Sequence, residues 1–373
     1  MSESPPCDDQ VADELCLALV SGIGPRLRQL LLERFTSPAD ILAAPPSELR
    51  NVPGIGPKLS RAIAEARHEI DIDAEMALCH DNSIRLVIQQ ADDYPRSLRE
   101  IPDPPGVLFC RGTLLPQDAL AVAIVGSRHA THYGLQQAER LAAGLARAGL
   151  TIVSGLARGI DGAAHRGALS AGGRTIGVLG SGLLNVYPPE HKELAAQVID
   201  SGALLSESPP HSPPASGAFP QRNRIITGMS LGVIIVEAST RSGALISARH
   251  AMEQGREVFA VPGRVDNRMA HGAHRLIRDG ATLVETVDDV LEQLGPLVEA
   301  TTLEDGDVVR HPAELQLGEQ EQEVLQAIGA EPTTIDEVIG RTGLTPQKAL
   351  STVSVLEMRR LIRRVGGTRV MRA

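Results

Sequence analysis

The chain has no tryptophan and only seven aromatic residues, three tyrosines and four phenylalanines, among its 373. That scarcity excludes a protein that coats nucleic acid with rows of stacking rings. Lysine is nearly absent too: Lys58, Lys192 and Lys348 stand against 33 arginines. The cations are therefore mostly planar forks suited to phosphate, although high-GC codon bias gives the same count. The four cysteines, Cys7, Cys16, Cys79 and Cys110, form no CxxC pair. Their spacing argues against a zinc ribbon or disulfide framework and for buried, reduced thiols. The longest apolar runs, Ala119 to Val125 and Leu231 to Val236, fall far short of a membrane span. The start, MSESPPCDDQ, lacks the charged-then-apolar pattern of a secretory signal. No Gly-Lys-Ser or Gly-Lys-Thr run occurs, so there is no Walker loop and ATP hydrolysis is unsupported. These absences predict a cytoplasmic protein without a membrane segment, metal or cofactor.

The formal charge is −10, which disfavours a diffuse basic coat. It is unevenly spread. Residues 1–120 carry 11 basic and 19 acidic side chains, residues 121–290 carry 16 and 14, and residues 291–373 carry 9 and 13. The middle is the positive part.

Up to about residue 70, helices alternate with turns. Ser37 and Pro38 read as N-cap and N1 of one helix, with Asp40 in its first turn. Ser21-Gly22-Ile23-Gly24-Pro25 and Val52-Pro53-Gly54-Ile55-Gly56-Pro57 repeat a theme in which glycines allow a tight hairpin and proline starts the next helix. The pair resembles a tandem helix-hairpin-helix element, a phosphate-contacting unit elsewhere, or here a packing module against DNA-repelling charge. From 83 to 290, short apolar runs alternate with helical stretches. The candidate strands are 84–90, 106–112, 121–126, 150–155, 175–180, 203–207, 232–238 and 257–263, and the pattern predicts a Rossmann-like, doubly wound, mostly parallel α/β sheet. Residues 296–317, acidic and without sustained periodicity, read as a linker. From 318 onward come three helical stretches, with Thr334 and Glu337 as a capping box, and a hairpin turning at Gly366-Gly367. That tail resembles a winged helix; its arginines cluster late, at Arg359, Arg360, Arg363 and Arg364. The expected domains are 1–78, 79–292, a linker 293–317, and 318–373.

In such a sheet, ligands bind beyond the carboxyl ends of the strands, near the point where strand order reverses. Five strand-end motifs follow. Gly126-Ser127-Arg128 offers close backbone, a hydroxyl and a bidentate cation beside a helix start. Ser154-Gly155-Leu156-Ala157-Arg158 repeats the idea, and Asp161 and His165 beyond it are either an acid–base pair or a helix cap with its partner. Gly180-Ser181-Gly182 precedes Tyr187-Pro188-Pro189-Glu190, with Lys192 just beyond. Phe219-Pro220-Gln221-Arg222-Asn223-Arg224, entered from a proline-rich loop, gives one ring, either a stacking face or a core anchor, and two forks. Ser242 and Gly243 open another helix, and Glu237 before them is placed to accept from a ribose or to orient Arg222 or Arg224.

YPRSLREIPDPPGVLFCRG, VAIVGSRHATHYG, SGLARGIDGAAHRGAL, FPQRNRIITGMS and REVFAVPGR, in this order, closely resemble the DNA-processing protein A (DprA) family. The resemblance covers about residues 85–290, and the flanks fit it. It implies a protein of natural transformation that binds and protects incoming single-stranded DNA. It also implies a homodimer through the Rossmann core that loads the RecA recombinase, with no established catalysis. The residues it places at the strand are Gly126, Ser127, Arg128, Gly155, Gly180, Phe219, Arg222 and Arg224. The chain departs from the family at Pro189, Glu190 and His191, at His274 where members show Asn, and at Ser216 and Gly217 where a cation is missing. The competing reading is a lysine-decarboxylase-like phosphoribohydrolase, but VEASTRSGAL lacks that family's glycine-rich phosphate loop.

Overall fold

The computed structural model describes residues 6–294, 301–302, 308–309, 317–329, 332–358, 361–366 and 369–372. Six helices come first: α1 Pro6–Leu19, α2 Pro25–Arg34, α3 Pro38–Ala43, α4 Pro46–Leu49, α5 Pro57–Glu69 and α6 Ile72–Asp81. Proline opens each of α2 to α5, where its missing N–H is not needed and its fixed φ suits the first turn. Ser37 caps α3 as expected, accepting from the Asp40 N–H at 3.2 Å. The two glycine turns pack reciprocally. A Cβ on Gly22 would lie 3.5 Å from Leu59, and one on Gly54 would lie 3.6 Å from Leu27. Each hairpin thus rests on the helix that follows the other. A buried ion pair fastens this module to the next, Glu14 to Arg28 at 2.9 Å, with Gln90 donating to Glu14 at 2.9 Å and Arg28 donating to Gln89 at 3.1 Å.

The central sheet has nine strands: β1 Arg85–Ile88, β2 Val107–Gly112, β3 Ala121–Gly126, β4 Thr151–Ser154, β5 Thr175–Leu179, β6 Ala203–Ser206, β7 Gly232–Val236, β8 Glu257–Ala260 and β9 Thr282–Leu283. All eight expected strands are present, and β9 is an addition. The helices are α7 Arg96–Arg99, α8 His132–Arg147, α9 Ile160–Ser170, α10 Lys192–Ser201, α11 Ala218–Gly228, α12 Ala244–Glu253, α13 His271–Arg278 and α14 Val287–Leu294. The strand order is β1-β2-β6-β5-β4-β3-β7-β8-β9, parallel from β6 to β9, with β2 and β1 antiparallel at one edge. The interior strands are buried on both faces, which is why they read as continuous apolar runs. Val122, Ile124, Ile234 and Val236 face α8, α9 and α14, while Ala123, Val125, Val233 and Ile235 face α11 and α12. The chain winds outward from β3 to β6 and then returns to β7 beside β3. Strand order therefore reverses between β3 and β7, and a crevice opens at their carboxyl ends.

Past the core, β10 Thr301–Thr302 pairs with β11 Val308–Val309 inside the stretch read as linker, most of which lies outside the described residues. The last unit holds α15 Glu319–Ala327, β12 Thr333–Thr334, α16 Ile335–Thr342, α17 Pro346–Met358, β13 Ile362–Gly366 and β14 Arg369–Arg372, its strands ordered β12-β14-β13. Thr334 and Glu337 form the expected capping box, and this is a winged helix. Arg359, Arg360 and Gly367 lie outside the described residues.

Candidate functional site

The crevice between β3 and β7 is a cleft of about 490 Å³. One wall is the turn after β3. The Gly126 backbone packs against the neighbouring strand, since a Cβ there would fall 1.9 Å from the Val236 carbonyl oxygen. Ser127 N–H donates to the Glu237 carbonyl at 2.8 Å, and Ser127 Oγ accepts from His129 N–H at 3.1 Å. Gly159, at φ +73, lets the loop after β4 approach this turn; a Cβ would sit 2.2 Å from the Ser127 carbonyl. Arg128 is exposed and makes no ion pair among the described residues, and its Cζ lies 4.9 Å from the centroid of Phe219. A cation–π contact at an exposed site contributes only about 0.5–1 kcal/mol, so the guanidinium can be drawn off by an anion.

The opposite wall is α11, which carries Phe219, Arg222 and Asn223 on one face at helical spacing. Arg222 is 5% exposed and donates to the Val178 carbonyl. Burial lowers its pKa to about 10, Arg128 pushing the same way and Asp161 resisting. Asp161, 7% exposed, is shifted up by the same burial and held back by Arg222. Both side chains lie against Gly155, whose Cβ would meet Arg222 Nη1 at 2.2 Å and Asp161 Oδ2 at 2.5 Å. Gly155 therefore makes room for two buried charged groups. Gly180 does the same for Phe219, at 2.8 Å from the ring. Ser242 and Gly243 close the cleft at the start of α12, and nothing lies within 4 Å of a Cβ on Gly243.

Several expected site residues lie elsewhere. Arg224 is 2% exposed and turned away from the cleft, paired with Asp103 at 3.0 Å and Glu207 at 2.6 Å. Ser154 is buried and donates to the Ile124 carbonyl at 2.6 Å. Ser181 donates to the Asn185 carbonyl at 2.7 Å, and Gly182 fits against the Pro209 carbonyl. Arg158 is paired with Glu190, its Cζ 5.7 Å from the Tyr187 ring. Lys192 is exposed on α10 and does not line the cleft.

Two expected partnerships are corrected. His165 bonds not to Asp161 but to Thr175 Oγ1, at 2.7 Å. Thr175 donates its own proton to the Ile152 carbonyl, so His165 carries its hydrogen on Nδ1 and its buried Nε2 has no protein partner. Burial first, then His191, Arg222 and Arg166, lower its pKa to about 3. Glu237, at φ +52, orients neither Arg222 nor Arg224. Its carboxylate accepts from Thr131 N–H at 2.8 Å, from Thr131 Oγ1 at 2.5 Å and from Asn267 Nδ2 at 3.3 Å. His274 binds the Gly263 backbone, and His191 the Leu156 carbonyl at 2.9 Å; both are loop supports.

The cleft also takes in His129, Asn223, Ser239 and Met269, which the motifs did not single out. Asn223 was accessible to sequence reasoning, being four residues from Phe219 on a helix. Cys16, Cys79 and Cys110 are buried and free, and burial raises the Cys79 and Cys110 thiols to about 11. Among the described residues no group of His, Cys, Asp and Glu is placed to hold a metal, and no helix is long and apolar enough to cross a membrane.

Residues 85–295 match the family described as DNA recombination-mediator protein A, residues 308–368 the DprA winged helix domain, and residues 15–69 a SAM-like helix-hairpin-helix tandem. Protein Smf of Synechocystis is 33% identical over 96% of this chain and 98% of its own. The Bacillus subtilis DNA processing protein DprA is 42% identical over 64% of this chain and 76% of its own. Among solved structures, DprA from Streptococcus pneumoniae superposes with a TM-score of 0.66 at 37% identity, covering 76% of this chain and 97% of that one. A Helicobacter pylori DNA processing protein A, solved for its single-stranded DNA binding mode, gives 0.52 at 30% identity over 58% and 98%.

Proposed function

We propose that this chain, which belongs to the DNA recombination-mediator protein A family, captures single-stranded DNA in the cleft between β3 and β7 without reading its sequence. The observation that carries the reading is Arg128: an exposed guanidinium with no ion-pair partner among the described residues, at the topological switch point and set over one of the few rings in the chain. An incoming phosphate takes the guanidinium. A base takes the ring. The Helicobacter pylori relative, described by its single-stranded DNA binding, supports the assignment.

In this reading the protein is a cytoplasmic factor of natural transformation that protects incoming single strands. It acts as a homodimer joined through the Rossmann core and passes the strand to the RecA recombinase. No chemical step of its own is required. Of the residues that would have served a hydrolase, His165 is buried and bonded to Thr175, Glu237 is held by Thr131, and Asp161 alone lines the cleft.

The test is fluorescence anisotropy of labelled oligothymidylate, against a duplex of equal length, across a salt titration of the full chain. Arg128→Ala should weaken single-strand binding and reduce the salt slope by about 0.7, leaving the fold intact because the side chain is exposed. An unchanged slope would refute the assignment.

A further inference from the structure

Tyr187 lies outside the cleft, yet it continues the line that starts there. The Arg128 guanidinium is 4.9 Å from the Phe219 centroid, the Phe219 and Tyr187 centroids are 5.7 Å apart at 48°, and the Arg158 guanidinium is 5.7 Å from Tyr187. Cation, ring, ring and cation thus form a chain of contacts linking the turn after β3 to the loops after β4 and β5. In a chain with seven aromatic residues this pairing is conspicuous, because Phe109, Phe259 and Tyr94 are core residues at 0–2% exposure. Tyr187 and Phe219 are both only partly buried.

We propose that Tyr187 is a second base platform, receiving the nucleotide next to the one seated on Phe219. The proposal rests on the cleft binding single strands. The ring spacing sets its character. Successive bases in a stacked strand rise by ~3.4 Å, whereas these rings are 5.7 Å apart and tilted by 48°. Two bases cannot stack on each other and also lie one on each ring. Occupying both platforms therefore requires an unstacked, unpaired strand, and a duplex is refused by geometry. At the far end Arg158 is held by Glu190, with the two side chains 47% and 50% exposed. Exposed pairs of this kind are weak, so a phosphate can exchange with the Glu190 carboxylate. Arg158 thereby supplies a second cation beside the second ring.

A purely supporting role for Tyr187, holding Phe219 in place, makes a different prediction, and abasic probes separate the two. The full chain is titrated with tetrathymidylate and with versions lacking one thymine at each position in turn. In the unmodified protein two of the abasic positions should each weaken binding by about ten-fold. Tyr187→Ala should abolish the sensitivity at one of these positions and keep it at the other, Phe219→Ala should do the reverse, and Tyr187→Phe, which keeps the ring, should keep the sensitivity at both positions. Equal weakening of every probe by Tyr187→Ala, or no weakening, overturns the second platform while Arg128→Ala still impairs binding. If Arg128→Ala leaves tetrathymidylate binding untouched, the reading of the cleft itself falls, and the second platform with it.

Discussion

The strongest lever on the cleft is a residue that does not line it. Glu237 follows β7 at φ +52, its backbone carbonyl accepts Ser127 N–H at 2.8 Å, and its carboxylate takes three donors from the turn before α8 and the loop before α13. Hydrogen bonds to a charged group contribute about 1.5–3 kcal/mol each. Two of the three are at 2.8 Å or less, and the third, at 3.3 Å, counts for little. Glu237→Ala should therefore cost about 3–6 kcal/mol. Glu237→Gln keeps one acceptor and should cost about half of that. Glu237→Gly removes the same bonds as Ala but relieves the left-handed backbone, so it should be the milder of the two by ~1 kcal/mol. Because the chain lacks tryptophan, unfolding is followed by far-UV circular dichroism in urea and binding by anisotropy of a labelled oligonucleotide. Native-state hydrogen exchange at residues 127–134 shows whether the turn carrying Arg128 loosens. If Glu237→Gln were as stable as the parent, with unchanged protection of that turn and unchanged affinity, Glu237 would not be what holds Arg128 in place.

Gly155→Ala should destabilise the core by about 1–3 kcal/mol through overpacking, because its Cβ lands 2.2 Å from Arg222 Nη1, whereas Gly243→Ala, with open space around it, should leave the urea midpoint unmoved. His165 sets a pH dependence. Its folded pKa, about 3, lies below the ordinary value of 6.5, so the unfolded chain binds the extra proton between these limits. The stabilisation is complete above the ordinary value and is lost as pH falls toward the folded one, at up to ~1.4 kcal/mol per pH unit. His165→Gln should flatten that slope in urea titrations repeated between neutrality and pH 4, and an unchanged slope would show that His165 is not the titrating group.

The architecture was legible because buried strands announce themselves as short apolar runs, and all eight expected runs are strands, six of them parallel and two antiparallel at one edge. The ninth, Thr282–Leu283, is two residues long and leaves no pattern. Within the site, the decisive difference is between Arg222 and Arg224. Read as an extended loop, Phe219-Pro220-Gln221-Arg222-Asn223-Arg224 points two alternate arginines the same way. As the helix α11 it separates them by about 200°, since each residue turns about 100°. Arg222 accordingly joins Phe219 and Asn223 at the cleft, while Arg224 goes to Asp103 and Glu207 on the far side. The side-chain partners of Glu237 and His165 lie 106 and 10 residues away in sequence, set by how β7 meets the turn after β3 and how α9 meets β5. No local pattern encodes such pairings.

The same distribution explains how a chain of net charge −10 can hold an anionic polymer. Arg224 is committed to Glu207 in a buried pair, whereas Arg158 is held by Glu190 only in an exposed, exchangeable one. Arg222 is sunk beside Asp161. Arg128 is left as the exposed, unpaired arginine of the cleft. Each phosphate neutralised on a single strand steepens the salt dependence by only about 0.7, so one cleft used alone is a weak and moderately salt-sensitive site. Tight capture then has to come from stacking, which salt does not screen, and from joining clefts on one strand, where the second contact forms at the high effective concentration set by the first. That is the physical reason for attaching the proposed function to a dimer rather than to a more basic monomer. Two lightly charged clefts joined in this way would discriminate through unstacked bases, whereas a strongly basic groove would take duplex and single strand alike.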